Sequence, residues 1–409
     1  MTSRKFLPLL LLPALAACGG GHKAQAPFTQ SFPGRDPRLL LDASGRLHVV
    51  YVEKRADGAA AVAYRRLGNS PLGPVRVSPQ GLEIAAGKES APTLDRLADG
   101  TLVIAYPVKL PGKWSSELRV QRSTDDGRSW EEPRLLHPSG DGAHSFLSSA
   151  SSANGTVTYA WLDKTSGQMG LHAASTRDGR TFTPAETIDA ETCQCCGTAL
   201  AAGPKGALWL AYRDKEADDL RDFRVLRSRA DPPSFREGTK LSEDGWRVQG
   251  CPETGARLAP APDGALWAAW FTAGGVPGVY ASHSQDGGTR FAPRTLLSDP
   301  ARLGRHPEIG ALSDGRIAIL YEEHGGESSI LQARIRDLQG HWGEPRTLAR
   351  GGAYPRLATL AGKTAVAFTC PSEQEPSIVV ADWPADGRSL PDCRPDKAAG
   401  AEPEMHHSH

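Results

Sequence analysis

Three cysteines lie within four positions of the sequence, at Cys193, Cys195 and Cys196 in the stretch AETCQCCGTAL. The whole chain of 409 residues contains seven cysteines. Thiols this close together can form disulfides, hold a soft metal ion such as copper or zinc, or cycle between thiol and disulfide. Which of these occurs depends on whether the cell compartment is oxidising and on where the fold places the three thiols. The rest of the chain gives evidence on both.

The first residues predict an export signal followed by a lipid anchor. Two basic residues precede an apolar run at 6–17, which is too short to cross a bilayer as a permanent helix and is typical of a signal peptide. The stretch LAAC, at 15–18, resembles a bacterial lipobox, which implies a lipid on Cys18. Because Gly19 and not an aspartate follows it, we expect an outer-membrane lipoprotein that faces the periplasm or the cell surface, where conditions are oxidising.

Charge and composition exclude one class of partner and indicate one class of fold. The chain has 47 acidic and 47 basic side chains, so nothing suggests a nucleic-acid partner. With 44 glycines and 32 prolines, it lacks long helical periodicity, and short alternating apolar runs recur between turn residues. This pattern is typical of an all-β protein.

A turn glycine followed six residues later by an aromatic residue recurs seven times, at intervals of 47 to 58 residues. The pairs are Gly45–Tyr51, Gly100–Tyr106, Gly155–Trp161, Gly206–Tyr212, Gly264–Trp270, Gly315–Tyr321 and Gly362–Phe368. Each glycine predicts a hairpin between a small apolar strand and a β-rich strand, and the interval leaves room for four strands, which is one propeller blade. The sequence therefore predicts a β-propeller of seven four-stranded blades, with six blades as the alternative.

The last repeat is one strand short, and we expect the segment 26–32 to supply its outer strand and close the ring, which removes the open sheet edges. The expected organisation is a signal peptide at 1–17, a tether at 18–27, the propeller at 28–385 and a C-terminal tail at 386–409.

Turns between predicted third and fourth strands carry a second pattern. The stretches STDDGRSW, at 123–130, and SQDGGTRF, at 284–291, resemble the Asp-box, or BNR, repeat of the sialidase superfamily. The repeats cover nearly the whole chain after the leader, so the resemblance implies a sialidase-like propeller. It says little about activity, because one fold hosts many functions.

That resemblance also implies where a substrate carboxylate would bind. Sialidases hold it with three arginines and use a Tyr–Glu pair as the nucleophile. Arg35 and Arg305 stand in the settings GRDP and GRHP, the first loosely similar to the Arg-Ile-Pro of the family, and with Arg257 they form a candidate clamp. No convincing Tyr–Glu pair can be placed. We therefore expect a binding or accessory role, with an exo-sialidase-type hydrolase of an acidic sugar and a protein-interaction platform as the alternatives.

The loops that lead into the first strand of each blade share one face around the central channel, which we call the funnel face. Further candidate ligand-binding residues on this face are His306, Arg38 and Arg356. Aligned on the turn glycines, Cys193 and Cys251 take the same position in adjacent blades, which predicts that they are close in space. His144 enters the third blade on the same face.

The resulting set of Cys193, Cys195, Cys196 and Cys251, with His144, leaves three interpretations open: disulfides, a copper or zinc site, or a redox pair. The remaining two thiols, Cys370 and Cys393, are expected to form a disulfide that holds the C-terminal tail to the ring.

Overall fold

The computed structural model describes residues 27–393 apart from 69, 113–114, 139–141, 166, 326–328 and 361. The signal peptide, the lipidation site at Cys18, nearly all of the tether and the tail beyond 393 lie outside the described residues. Two single-turn 3-10 helices occur in the described part of the chain, Pro204–Gly206 and Ala217–Asp219. No helix there is long and apolar enough to cross a membrane.

The described residues form seven antiparallel sheets of four strands each, arranged as seven blades. The N-terminal strand is β1, Thr29–Pro33. Blade one contains β2, Arg35–Leu41, β3, Leu47–Lys54, β4, Ala60–Leu67, and β5, Leu72–Arg76. Blade two contains β6, Thr93–Arg96, β7, Leu102–Lys109, β8, Ser116–Ser123, and β9, Arg134–Leu135. Blade three contains β10, His144–Ser151, β11, Val157–Asp163, β12, Gly170–Thr176, and β13, Glu186–Asp189.

Blade four contains β14, Ala199–Ala202, β15, Leu208–Arg213, β16, Phe223–Ser228, and β17, Glu237–Lys240. Blade five contains β18, Arg257–Pro260, β19, Leu266–Thr272, β20, Gly278–Ser284, and β21, Thr295–Leu296. Blade six contains β22, Leu303–Ala311, β23, Ile317–His324, β24, Ile330–Arg336, and β25, Arg346–Arg350. Blade seven contains β26, Ala353–Leu360, β27, Lys363–Cys370, and β28, Ser377–Asp382.

The N-terminal strand closes the ring. Strand β1 pairs antiparallel with β28, with Thr29 opposite Ala381 and Pro33 opposite Ser377, so blade seven takes its outer strand from the start of the chain. The prediction of seven blades closed by an N-terminal strand is confirmed, and the six-bladed alternative is wrong.

The glycine–aromatic repeat has a direct structural cause. The turn glycines join the first and second strands with positive φ, and Gly155 shows why a side chain is excluded: a Cβ there would lie 2.5 Å from the backbone nitrogen of Ala98 in the neighbouring blade. The aromatic residue six positions later is buried in every repeat, at most 4% exposed. The repeat aromatics belong to hydrophobic cores that lie between successive blades. Between blades one and two, for example, Tyr106 belongs to the same core as Val50 and Tyr64.

The register of the inner strands defines a ring of residues around the central channel. In each blade, one inner-strand residue pairs with the residue that precedes the repeat aromatic. These seven ring residues are Arg38, Thr93, Ser148, Ala199, Arg257, Glu308 and Arg356. The fold therefore brings side chains together that are far apart in sequence.

Candidate functional site

All seven ring residues line one cavity of about 200 Å³ in the central channel. Four of them are charged: the three arginines Arg38, Arg257 and Arg356, and Glu308. Only Arg257 of the expected clamp lines this cavity. Arg38 and Arg356, expected as further ligand-binding residues, line it as well, whereas Arg35 and Arg305 do not.

Arg257 is held by two carboxylates. Its Nη2 lies 3.1 Å from Oε2 of Glu89, and its Nε lies 3.6 Å from Oε2 of Glu308. Glu89 comes from the loop that enters blade two and also accepts a hydrogen bond of 3.3 Å from the backbone N–H of Gly255. Arg257 is only 7% exposed, so its orientation is fixed by these contacts.

Arg356 is less completely paired. Its Nη1 donates to the carbonyl of Pro355 at 2.7 Å and lies 3.6 Å from Oε2 of Glu308. Its Nε and Nη2 are buried and have no hydrogen-bond partner among the described residues. A buried donor without a partner is costly, by about 1–3 kcal/mol. These two N–H groups can therefore donate hydrogen bonds to an oxygen atom of a ligand.

The cavity perturbs its own titratable groups. Burial lowers the pKa of Arg38 and of Arg356, and the neighbouring arginines lower both further. Burial also raises the pKa of Glu308, although the nearby arginines oppose this effect. Burial acts in the same direction on Glu89, but the positive charges of Arg257, His306 and Arg356 outweigh it and lower the pKa.

A further carboxyl group, Asp95, lines the same cavity two positions beyond the ring. Burial raises the pKa of Asp95 to about 6, although hydrogen bonds from Ser149 and Ser151 act in the opposite direction. The cavity thus combines three guanidinium groups with two acids whose neutral forms are favoured by burial.

Four inner strands, β2, β10, β22 and β26, carry a β-bulge just before the ring position. The bulged residues are Asp36, Phe146, His306 and Tyr354, and all four have positive φ, between 46° and 54°. Non-glycine residues rarely adopt this conformation, and bulges cluster near functional sites because they re-aim side chains.

The bulges explain where the other predicted residues lie. Arg35 pairs with its neighbour Asp36 and donates to the carbonyl of Ala86 at 3.2 Å. Arg305 has its guanidinium carbon 5.9 Å from the ring centre of Phe271. Neither lines the channel cavity, because each precedes the bulge.

His306 lies at the channel entrance. Its Nδ1 is 3.1 Å from Oε1 of Glu322, and its ring lies 4.6 Å from that of Tyr354. Burial lowers the pKa of His306, but the negative charge of Glu322 outweighs burial and raises it. The backbone N–H of Tyr354 donates to the same carboxylate oxygen at 2.6 Å. Glu322 therefore joins the bulges of blades six and seven.

The three clustered cysteines form a second group in the loop that enters blade four. The Cys193 sulfur lies 3.6 Å from that of Cys196 and 4.0 Å from that of Cys195, and all three sulfurs lie within 4.8 Å of one another. All three side chains are buried and packed against Phe146. Hydrogen bonds from Cys195 and Cys196 lower the pKa of the Cys193 thiol.

The expected fourth thiol does not join this group. Cys251 is exposed and free, and the set of sulfurs within 4.8 Å of one another contains Cys193, Cys195 and Cys196 alone among the described residues. The alignment of Cys193 with Cys251 is correct for the inner strands that follow. The two loops take different paths: 193–198 lies inside the molecule, whereas 247–253 is mostly exposed.

His144 also plays a different part from the one expected. Its Nδ1 lies 2.6 Å from the carbonyl oxygen of Ser116, its Nε2 lies 3.1 Å from Oδ2 of Asp163, and its ring stacks on His137 at 3.8 Å. Both ring nitrogens are engaged, so His144 stabilises blade three and is not free to ligate. The expected Cys370–Cys393 disulfide is present, with Cα atoms 5.2 Å apart.

Several residues of the two groups were missed by the sequence analysis. Glu308 follows GRHP as Arg38 follows GRDP in blade one, so alignment of the two repeats could have found it. Glu89 lies in an entry loop, and Arg213, whose Nε donates to the sulfur of Cys196 at 3.2 Å, lies at the end of β15. Nothing in the local sequence around Glu89 or Arg213 indicates a role.

The structure is a seven-bladed β-propeller whose central cavity is lined by three arginines and Glu308. No protein-family model matches the sequence, and no curated protein matches it. Among solved structures, the chain resembles a polysaccharide lyase of family PL25, an ulvan lyase, with a TM-score of 0.57 and 13% identity over 85% of this chain and 93% of that one.

Two other propellers are similar at the level of fold. The α-L-arabinanase of Penicillium chrysogenum has a TM-score of 0.50 and 15% identity over 76% of this chain and 99% of that one. The NanB sialidase of Streptococcus pneumoniae has a TM-score of 0.50 and 9% identity over 72% of this chain. The match spans 65% of that sialidase, just under two thirds of its length. At these identities the comparisons show a shared fold with glycoside hydrolase and lyase propellers.

Proposed function

We propose that the protein is a lipid-anchored propeller, exposed to the periplasm or the cell surface, that binds a carboxylate-bearing ligand such as an acidic sugar in its channel cavity. The observation that carries this proposal is the convergence of Arg38, Arg257 and Arg356 from three blades on one cavity. Planar guanidinium groups suit carboxylates because they donate paired hydrogen bonds in a matching geometry.

The state of Arg356 supports a ligand and not merely an internal salt-bridge network. Three carboxyl groups lie near the three arginines: Glu89 and Glu308 contact Arg257, and Asp95 lines the same cavity. Arg356 keeps two buried nitrogen atoms without partners, and Arg38 has no carboxylate within 4.0 Å among the described residues. An additional carboxylate between these two arginines would satisfy donors that the protein leaves unpaired.

Binding is favoured over sialidase-type hydrolysis because the candidate tyrosine is not activated as a nucleophile. Tyr354 is the tyrosine nearest to the expected role. Burial raises its pKa, and the negative charges of Glu322 and Glu89 raise it further. A nucleophilic tyrosine needs the opposite environment, one that favours the phenolate.

Calorimetric titration of the soluble chain lacking its leader tests this proposal. Glucuronate and N-acetylneuraminate are expected to bind, whereas glucose is not. Arg356→Gln should weaken binding by about tenfold or more, the effect of one charge-assisted hydrogen bond. Arg128→Gln is the control, because Arg128 lies in an exposed turn and the variant makes the same change in net charge. Equal affinity for glucose, or unchanged affinity in Arg356→Gln, would contradict the proposal.

A second candidate function is hydrolysis of an acidic glycoside, favoured by the two acids that share the cavity, Asp95 and Glu308. Burial favours the protonated form of both, and a protonated carboxyl group is what a general acid requires. Turnover of a fluorogenic sialoside or glucuronide that disappears in Glu308→Gln would support this candidate. Ligand binding without turnover of either compound would exclude these two activities.

The lipid anchor is a separate part of the proposal and rests on the LAAC stretch and Cys18. Metabolic labelling with palmitate should mark the wild-type protein and not Cys18→Ala. The wild-type protein should sediment with outer membranes after cell lysis, whereas the variant should not. A labelled Cys18→Ala protein would contradict the anchor.

A further inference from the structure

Arg213 presents an unusual electrostatic problem. Its side chain is 1% exposed, and no carboxylate lies within 4.0 Å of it among the described residues. Its Nη groups donate to backbone carbonyls, those of Arg221 at 2.8 Å and Phe271 at 2.9 Å. A buried positive charge is strongly unfavourable unless a negative charge compensates it.

Arg213 lies over two aromatic rings and beside a cysteine. Its guanidinium carbon is 3.9 Å from the ring centre of Phe223 and 4.8 Å from that of Trp246. The Nε of Arg213 donates to the sulfur of Cys196 at 3.2 Å. A second guanidinium, that of Arg221, donates to the sulfur of Cys193 at 3.4 Å and pairs with Asp219 at 3.0 Å. Two of the three clustered sulfurs therefore lie beside positively charged donors.

The spacing of the sulfurs fits coordination to a single ion. An ion bound to three thiolates at about 2.3 Å would hold them roughly 4 Å apart. The observed separations of 3.6 Å and 4.0 Å from Cys193 are close to this value. A disulfide requires about 2.0 Å, so the three cysteines are arranged as separate sulfurs.

We propose that Cys193, Cys195 and Cys196 form a trigonal site for a soft monovalent cation, Cu(I). The donor set consists of sulfur alone, which selects soft ions. Zinc in structural sites almost always takes four ligands, and no fourth His, Cys, Asp or Glu joins the three among the described residues. Three donors suffice for Cu(I). Cys195, at 8% exposure, is the most exposed of the three residues.

This site is independent of the channel cavity, and its test uses copper alone. The fully reduced soluble chain is titrated anaerobically with Cu(I) in competition with bathocuproine disulfonate. One equivalent of tightly bound copper is expected, and X-ray absorption should show about three sulfur neighbours and no nitrogen. Cys193→Ser and Cys195→Ser should each lose tight binding. Arg221→Gln should weaken it by about tenfold, because a charged donor to Cys193 is removed.

Cys251→Ser is the matched control, because Cys251 is a free cysteine in the neighbouring blade that lies outside the group. It should bind copper as the wild type does, and Arg356→Gln should also be unaffected. Far-ultraviolet circular dichroism must show that each serine variant remains folded, and Cys195→Ser is the safest because its sulfur has no arginine donor within hydrogen-bond distance. The proposal is overturned if the reduced wild type binds no copper, if Cys195→Ser binds as tightly, or if Zn(II) binds and is not displaced by Cu(I).

Discussion

The carboxylate of Glu89 lies 3.1 Å from Nη2 of Arg257, although 168 residues separate them in sequence. This ion pair joins the entry loop of blade two to the inner strand of blade five. Glu89 also packs against the entry loop of blade four, because a Cβ added to Gly197 would lie 2.6 Å from its Oε2. One buried carboxylate thus contacts segments of three blades.

Glu89→Gln tests how much this pair contributes to stability. Removal of one partner leaves Arg257 buried with Glu308 as its remaining carboxylate, so we expect the free energy of unfolding to fall by about 3–5 kcal/mol. Urea denaturation at pH 7 measures the change. Glu83→Gln is the control, because Glu83 pairs with Lys109 at 2.7 Å but is 62% exposed, and such pairs contribute about 0–1 kcal/mol. Equal losses in the two variants would contradict the structural role of Glu89.

Asp95 should make stability depend on pH. The folded state raises its pKa to about 6, mainly through burial, whereas an unfolded aspartate titrates near 4. The folded state therefore holds the proton more tightly, and the stability this contributes is fully present below about pH 4. It is lost as the pH rises to about 6, by roughly 3 kcal/mol at most. Asp95→Asn should make this decline shallower in urea unfolding measured from pH 4 to pH 7, while Glu308, whose pKa burial also raises, continues to contribute to it.

Glu322 provides the contrasting case for the same experiment. Burial opposes its ionisation, but His306 holds its pKa at about 2, below the ordinary value of 4.5. Its contribution is present above about pH 4.5 and is lost as the pH falls towards 2. Glu322→Gln should therefore alter the acid side of the profile and leave the decline due to Asp95 in place. A decline between pH 4 and pH 6 that is as steep in Asp95→Asn as in the wild type would contradict the assignment to Asp95.

Ring closure can be tested at Phe32, a buried residue of the closing strand. Phe32 is 5% exposed, and its ring centre lies 5.1 Å from that of Tyr51. Phe32→Ala should lower the free energy of unfolding by about 3–5 kcal/mol, because it removes a buried aromatic ring from the contact between blades seven and one and leaves a cavity there. Leu338→Ala is the control: Leu338 is 67% exposed, and its loss should change stability by about 0.5 kcal/mol or less. A negligible effect at Phe32 would show that β1 does not contribute to closure.

The blade count and the closure could be predicted because local chemistry encodes them. Each repeat has a turn glycine with positive φ and a buried aromatic residue six positions later. This spacing is the same in all seven repeats, although the rest of the sequence differs between them. The channel residues could be predicted only in part. Arg257 lies in a regular strand and lines the cavity, whereas Arg35 and Arg305 precede the bulges at Asp36 and His306.

A bulge changes which side chains face the channel, and no residue type in GRDP or GRHP predicts that a bulge forms there. The loops were predicted least well. Cys193 and Cys251 share an aligned position, but long-range contacts with Arg213 and Arg221 bury one loop and leave the other at the surface. Such contacts depend on the assembled ring, so they cannot be read from either stretch alone.

A crystal structure of the soluble chain with bound glucuronate would show whether the channel arginines hold a carboxylate. We expect the sugar carboxylate to lie within hydrogen-bond distance of Nη2 of Arg356 and to contact Arg38. Glucuronate bound elsewhere on the propeller, or bound in the channel with its carboxylate turned away from both arginines, would show that these arginines do not form a carboxylate site.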